Sequence, residues 1–122
     1  MSWDDYVNSL LPQGISSAAI IGFNGQTWAA TKGFSVSVEE GLALVQGFGK
    51  PSVFVKDGVL IGGATFIYIR NSERTVFAKR DIECVLIVRT LKAFVIARFN
   101  GQPHNSSAVV EKLADYLISV GY

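Results

Sequence analysis

The sequence has little of what disulfide-rich, metal-binding or membrane proteins need. It contains one cysteine, Cys84, and one histidine, His104. One cysteine cannot form an internal disulfide, and the roughly four nitrogen or sulfur ligands of a zinc site are missing. No basic region precedes a long apolar run, and no apolar stretch is long enough to span a bilayer. We therefore expect a protein of a reducing compartment, with no metal and no cofactor.

An excess of one charge sign is also absent. Lysine and arginine number 11 against 10 aspartate and glutamate residues, so the net charge is +1. Proteins that bind nucleic acid normally carry a large basic excess, and we expect no such partner here.

Signatures of catalysis are lacking as well. The glycines do not have the spacing of a phosphate-binding loop, and no paired carboxylates share an apolar pocket. Cys84 lies in an apolar strand, a context typical of a buried and unreactive thiol. We therefore expect no enzymatic activity.

The sequence does have enough hydrophobic residues to form one core. It has 122 residues, 49% of them hydrophobic, which is the size of one domain. No repeat or linker divides it, so we expect a single domain over residues 1–122 and a monomer.

Apolar periodicity predicts an amphipathic helix near each end of the chain. The first covers residues 3–11, with Ser2 as its N-cap, and the second covers residues 106–120. Between them, the Asn24-Gly25 pair separates two apolar runs and predicts a β-hairpin.

The middle of the chain favours an antiparallel sheet. A short helix is predicted at 38–47 with Ser37 as its cap, and a helical turn is predicted at 51–56. β-Branched and aromatic residues follow, separated by short breaks that favour antiparallel neighbours. The predicted strands are 59–70, 75–80, 83–90 and 92–99. The fold class is therefore α+β, with terminal helices packed on an antiparallel sheet.

Tyrosine and tryptophan are concentrated in three places: the first helix, the early hairpin and the end of the last helix. Such rings favour positions that are packed at one end and wet at the other. If the terminal helices pack side by side, the rings form one exposed groove, which suits a polyproline II ligand. Alternatively, the rings fill the seam between helix and sheet, and spacing alone favours this interpretation. The residues concerned are Trp3, Tyr6, Trp28, Tyr116 and Tyr122.

Both ends of the chain resemble the profilin family. The segment Met1-Ser-Trp-Asp-Asp-Tyr-Val7 resembles the N-terminal signature of profilins. The segment Val109-Val-Glu-Lys-Leu-Ala-Asp-Tyr-Leu117, followed by Gly121-Tyr122, is similar to their last helix. The similarity runs the whole length and is greatest to profilins of protists, fungi and plants.

This resemblance implies an architecture and a function. The architecture is a central antiparallel sheet with both terminal helices on one face and shorter helices on the other. The function is to bind monomeric actin in the cytoplasm, in association with the cytoskeleton, and to regulate its polymerisation. A separate groove would hold proline-rich proteins such as formin-type assembly factors. The resemblance places that groove at Trp3, Tyr6, Trp28, Tyr116, Leu117 and Tyr122.

The resemblance also implies an actin surface on the later strands and the start of the last helix. A basic patch there would steer an acidic partner, although a merely solvated face would look the same. The segment 79–83 lacks the glycines of many relatives, and Arg98 replaces a small residue, so actin affinity could be weaker or altered. The candidates are Arg70, Arg74, Lys79, Arg80, Arg89, Asn105, Ser106 and Lys112.

Five of these basic residues support an alternative function of another class: Arg70, Arg74, Lys79, Arg80 and Arg89. In it, the protein is a membrane-surface regulator that binds phosphoinositide headgroups and binds actin weakly or differently. Asp81 and Glu83 lie within this basic region and count against strong phosphoinositide binding.

Overall fold

The computed structural model describes residues 2–101 and 103–122, with the side chains of 103–105 outside the description. A short 3₁₀ segment, Leu11–Gln13, follows the first helix. The helices and strands are α1 (Trp3–Asn8), β1 (Ser17–Gly22), β2 (Thr27–Ala30), α2 (Val38–Gly49), α3 (Ser52–Asp57), β3 (Val59–Ile61), β4 (Ala64–Asn71), β5 (Thr75–Arg80), β6 (Glu83–Arg89), β7 (Ala93–Asn100) and α4 (Pro103–Ser119).

Among the described residues, the strands form one seven-stranded sheet in the order β2-β1-β7-β6-β5-β4-β3. Every neighbouring pair is antiparallel. Short turns join β1 to β2 and each strand from β3 to β7 to the next, whereas α2 and α3 lie in the connection between β2 and β3. β1 pairs with the distant β7 and so brings the two ends of the chain together. The predicted antiparallel α+β fold is confirmed.

The sheet is covered on both faces. Successive residues of a strand point to opposite faces, and in β7 both sets are buried. Val95, Ala97 and Phe99 join the core beneath α1 and α4, whereas Phe94 and Ile96 join the core beneath α2 and α3. The terminal helices therefore lie on one face and the short helices on the other, as the resemblance implied.

The predicted strand 59–70 was wrong, because a tight turn divides it into β3 and β4. Gly62 and Gly63 both have positive φ, 62° and 82°, a conformation that residues with a Cβ rarely adopt. Their amides donate to the Glu40 carboxylate at 3.1 and 2.9 Å. Glu40 also accepts from the Ser37 amide at 3.0 Å, so one side chain caps α2 and fixes this turn.

Both terminal helices differ from their predicted bounds. α1 ends at Asn8, not at residue 11, because Pro12 lies in the separate 3₁₀ segment. α4 runs from Pro103 to Ser119, whereas the prediction was 106–120. Proline is tolerated in the first turn of a helix, where its missing N–H has no intrahelical partner.

Within residues 2–101 and 103–122, no helix is both long enough and apolar enough to cross a membrane. In the same part of the chain, no three histidine, cysteine or acidic residues lie close enough to hold a metal ion. Cys84 is buried in β6, as its apolar neighbours predicted.

Candidate binding surfaces

Five aromatic rings from α1, β2, α4 and the segment after α4 lie together in a continuous row, here called the aromatic shelf. The ring centroids of Trp3 and Trp28 are 4.9 Å apart, and those of Trp3 and Tyr122 are also 4.9 Å apart. Tyr6 lies 5.8 Å from Trp3 and 5.6 Å from Tyr116. The structure thus brings together the five aromatic residues that the sequence singled out.

Trp28 reaches the shelf because a glycine leaves room for its indole. Gly22 lies at the end of β1, and a Cβ on it would be 2.7 Å from Nε1 of Trp28. Real Cβ atoms do not approach so closely, so any larger residue here would displace the ring. Sequence reasoning assigned no role to Gly22.

Main-chain hydrogen bonds hold Tyr122 in place. Its carbonyl accepts from the Thr90 hydroxyl at 2.8 Å and from the Lys92 amide at 2.7 Å. Its own amide donates to the Leu117 carbonyl at 2.8 Å. The β6–β7 turn thus fixes one end of the shelf, and Nζ of Lys92 lies 5.7 Å from the Tyr122 ring. Sequence reasoning missed the roles of Thr90 and Lys92, because a three-residue connection between strands carries no periodic signal.

The shelf is open to solvent. Tyr116 is 46% exposed and Tyr122 is 37% exposed, while Trp3, Tyr6 and Trp28 are half-buried. Rings packed at one edge and wet at the other can stack on a ligand without a large rearrangement. Leu117, the sixth predicted residue, is completely buried and supports the shelf from below.

The hydroxyl of Tyr6 is kept neutral. Its side-chain hydrogen bond with Tyr116, together with desolvation and nearby negative charge, raises the pKa of Tyr6 above its ordinary value. Tyr6 therefore remains an O–H donor across the physiological pH range.

The sheet register separates the basic candidates into two groups. Directly opposed residues of neighbouring strands share a face. Arg70 is opposed to Phe77, and Lys79 is opposed to Cys84. Phe77 and Cys84 belong to the core beneath the terminal helices, so Arg70 and Lys79 lie on that side. The Arg70 guanidinium also lies 4.5 Å from the centre of the Phe77 ring.

Arg80 and Arg89 lie on the other side of the sheet. Arg80 follows Lys79 directly and is opposed to Glu83, so it points the other way. The Arg89 guanidinium lies 5.8 Å from the ring of Phe48 in α2 and donates to the Glu73 carbonyl at 3.1 Å. The eight candidates therefore do not form one patch.

The remaining candidates differ in how accessible their charges are. Arg74 is paired with Asp115 at 2.8 Å and with Glu111 at 3.4 Å, so its charge is largely compensated. Ser106 is buried at 8% exposure, whereas Lys112 is exposed. Asn105 lies outside the described side chains.

The unusual segment 79–83 has a structural explanation. Asp81 has φ of 55°, the left-handed conformation that glycine adopts most easily and that aspartate also tolerates. Glu83 forms an ion pair with Arg98, which lies over the rings of Phe34 and Phe66 at 5.4 and 5.7 Å. Burial and the nearby Arg80 charge lower the pKa of Arg98. The Glu83 charge is thus compensated on the side of the sheet opposite Lys79.

Comparison with known proteins gives one consistent family. The family model described as Profilin matches residues 1–122. Profilin-2 of Acanthamoeba castellanii is 40% identical, and profilin of Drosophila melanogaster is 37% identical, each with 100% of both chains covered. The crystal structure of Acanthamoeba castellanii profilin II matches with a TM-score of 0.93 at 38% identity. That match covers 99% of this chain and 100% of the other.

Proposed function

The chain belongs to the profilin family, and from that premise we propose that it binds monomeric actin, regulates actin polymerisation and holds proline-rich peptides on the aromatic shelf. Profilins are not enzymes. Through actin, the protein acts in the cytoplasm in association with the cytoskeleton.

The observation that carries the peptide-binding function is the exposed row of five rings. A polyproline II helix has no internal hydrogen bonds and is already formed in solution, so little ordering entropy is lost on binding. Its proline rings stack on aromatic faces while its free carbonyls accept from Trp N–H and Tyr O–H groups. Trp3, Trp28 and Tyr6 carry both an aromatic face and a polar N–H or O–H group, and their rings are neighbours in this row.

Two more distant profilins were solved with partners of these classes. Mouse profilin IIa, in complex with a double repeat from the FH1 domain of mDia1, matches at 22% identity and a TM-score of 0.84. A LokiProfilin2–rabbit actin complex matches at 20% identity and a TM-score of 0.80. Identities this low support the shared fold, and the functional assignment rests on family membership.

For actin, we favour the side of the sheet that carries Arg70 and Lys79. Both side chains are exposed, and no carboxylate among the described residues is paired with either. Exposed apolar side chains accompany them, since Ile67, opposed to Lys79, is 70% exposed. Free cations accelerate the encounter with an acidic partner, and apolar contacts prolong the complex.

Phosphoinositide binding is consistent with the family and receives less support from the site itself. A groove at the end of β6 is lined by Arg74 and Arg89. Arg74 is already paired with two carboxylates, so its charge is compensated, and one guanidinium nitrogen of Arg89 is engaged by the Glu73 carbonyl.

An actin assembly assay tests the proposed actin surface. The double variant Arg70→Glu and Lys79→Glu should weaken binding of monomeric actin about tenfold, because two attractive charges become repulsive. The measurement is the slowing of pyrene-labelled actin assembly as the concentration of each variant rises.

Lys56→Glu on α3 is the matched control for this assay. It reverses one exposed charge on the opposite side of the sheet and should leave actin binding near that of the wild type. An equal loss in the control, or no loss in the double variant, would show that actin binds elsewhere.

A further inference from the structure

A groove continues the aromatic shelf beyond the Tyr6–Tyr116 pair. It lies between the end of α1 with its following 3₁₀ segment and one side of α4, and its volume is about 480 Å³. Tyr116 lines both the shelf and the groove, so an extended ligand can pass from one to the other without leaving the surface. The groove is lined chiefly by Ser9, Gln13, Val109, Lys112, Leu113 and Tyr116.

The length of the groove suits a few additional residues of an extended chain. Its α4 wall runs from Tyr116 to Ala108, which is eight residues and therefore roughly 12 Å of helix rise. A polyproline II chain advances about 3.1 Å per residue. The groove therefore has room for about four residues beyond one end of the proline run.

The wall chemistry is apolar with one available charge. Val109 and Leu113 are half-buried and form an apolar surface. The polar side chains in the wall already make hydrogen bonds within the protein. The Ser9 hydroxyl donates to the Tyr6 carbonyl at 2.6 Å, and the side-chain amide of Gln13 donates to the Ser9 carbonyl at 2.9 Å.

Lys112 is the available charge. In the described part of the chain it has no carboxylate within ion-pairing distance. Its acidic neighbours on α4, Glu111 and Asp115, are both engaged by Arg74. An exposed ammonium above an apolar wall is complementary to a ligand that has a carboxylate at this point.

We propose that this groove is a second subsite for proline-rich ligands, in which Lys112 selects peptides whose proline run is flanked by an acidic residue. The inference rests on the proposed proline-binding function and adds a sequence preference to it. It gives Lys112 a role at the peptide surface in addition to the actin role implied by the family resemblance.

Four synthetic peptides test the proposal. Decaproline is extended by two glutamates or by two glutamines, at its carboxyl end in one pair and at its amino end in the other. For the wild type, one glutamate peptide should bind about two- to fivefold more tightly than its glutamine partner at low salt, as expected for one exposed ion pair. Lys112→Gln should bring that ratio to about one, and so should high salt.

Lys56→Gln is the matched control, because Lys56 is also an exposed lysine but lies on α3, on the other side of the sheet. It should leave unchanged the glutamate preference that Lys112→Gln removes. The proposal is overturned if neither glutamate peptide binds more tightly, or if the preference survives Lys112→Gln or is lost equally in Lys56→Gln. If no peptide binds, including plain decaproline, the proposed proline-binding function itself fails.

Discussion

Trp3→Ala is expected to abolish measurable binding of decaproline while leaving actin binding within about twofold of the wild type. Trp3 contacts Trp28, Tyr122 and Tyr6, so its removal takes away the centre of the shelf. Central tryptophans of binding surfaces contribute about 2–4 kcal/mol, a loss of about 30- to 1,000-fold in affinity. Isothermal titration calorimetry with decaproline measures the loss, and actin assembly measures the other surface.

Phe48→Ala is a matched control for this experiment. Phe48 is also a half-buried aromatic residue, but it packs on Phe94 at 4.9 Å on the side of α2, away from the shelf. It should bind decaproline like the wild type once the folded fraction is taken into account. Decaproline binding that survives Trp3→Ala, or falls equally in Phe48→Ala, would remove the shelf as the binding site.

Gly47→Ala is expected to destabilise the fold, although alanine is normally the better helix former. In an exposed helix the change from glycine to alanine stabilises by about 1 kcal/mol. At Gly47 in α2, however, a Cβ would lie 2.0 Å from Cζ of Phe54, whose ring is buried at 3% exposure. Overpacking a core typically costs about 1–3 kcal/mol. Urea unfolding should therefore show a lower free energy of unfolding.

Gly49→Ala is the control that distinguishes the effect of steric overlap on stability from the effect of helix propensity. Gly49 lies in the same helix, and beyond its chain neighbours and the adjacent helix backbone no atom lies within 4 Å of the position its Cβ would take. This variant should keep the wild-type free energy of unfolding or raise it by up to about 1 kcal/mol. If Gly47→Ala proved as stable as Gly49→Ala, the close contact between α2 and α3 would be wrong.

Much of the fold could be predicted from local patterns. The capping boxes at Ser2 and Ser37, the Asn24-Gly25 hairpin and the apolar periodicity of the last helix all act within a few residues. The division of 59–70 could not be predicted as readily. Gly62 and Gly63 fit a turn, but its stabilising contact comes from Glu40, more than twenty residues away.

The aromatic shelf could be located only in part. Residue types indicated half-exposed rings, but the contact between Trp3 and Tyr122 depends on the pairing of β1 with β7 and on the bonds from Thr90 and Lys92. No spacing rule connects residues so far apart. The family resemblance supplied that connection, and the five rings do meet.

For the basic residues, the sequence alone does not reveal which side chains are exposed and which form ion pairs. Strand alternation separates Lys79 from Arg80, which a sequence can indicate. The pairing of Arg74 with Asp115 and of Arg98 with Glu83 is set by tertiary packing, and it removes charges that appear free in the sequence. After these ion pairs are taken into account, Arg70 and Lys79 are two exposed cations, uncompensated by any described carboxylate, on the side of the sheet that carries the terminal helices.

Mapping of NMR shifts on addition of decaproline tests most directly whether the ring row is a binding surface separate from the basic side of the sheet. The account predicts saturable shifts at the indole N–H groups of Trp3 and Trp28 and at the amides of Tyr116 and Tyr122. The amides of Arg70 and Lys79 should not move. Unchanged indole signals, or the largest shifts at Arg70 and Lys79, would contradict it.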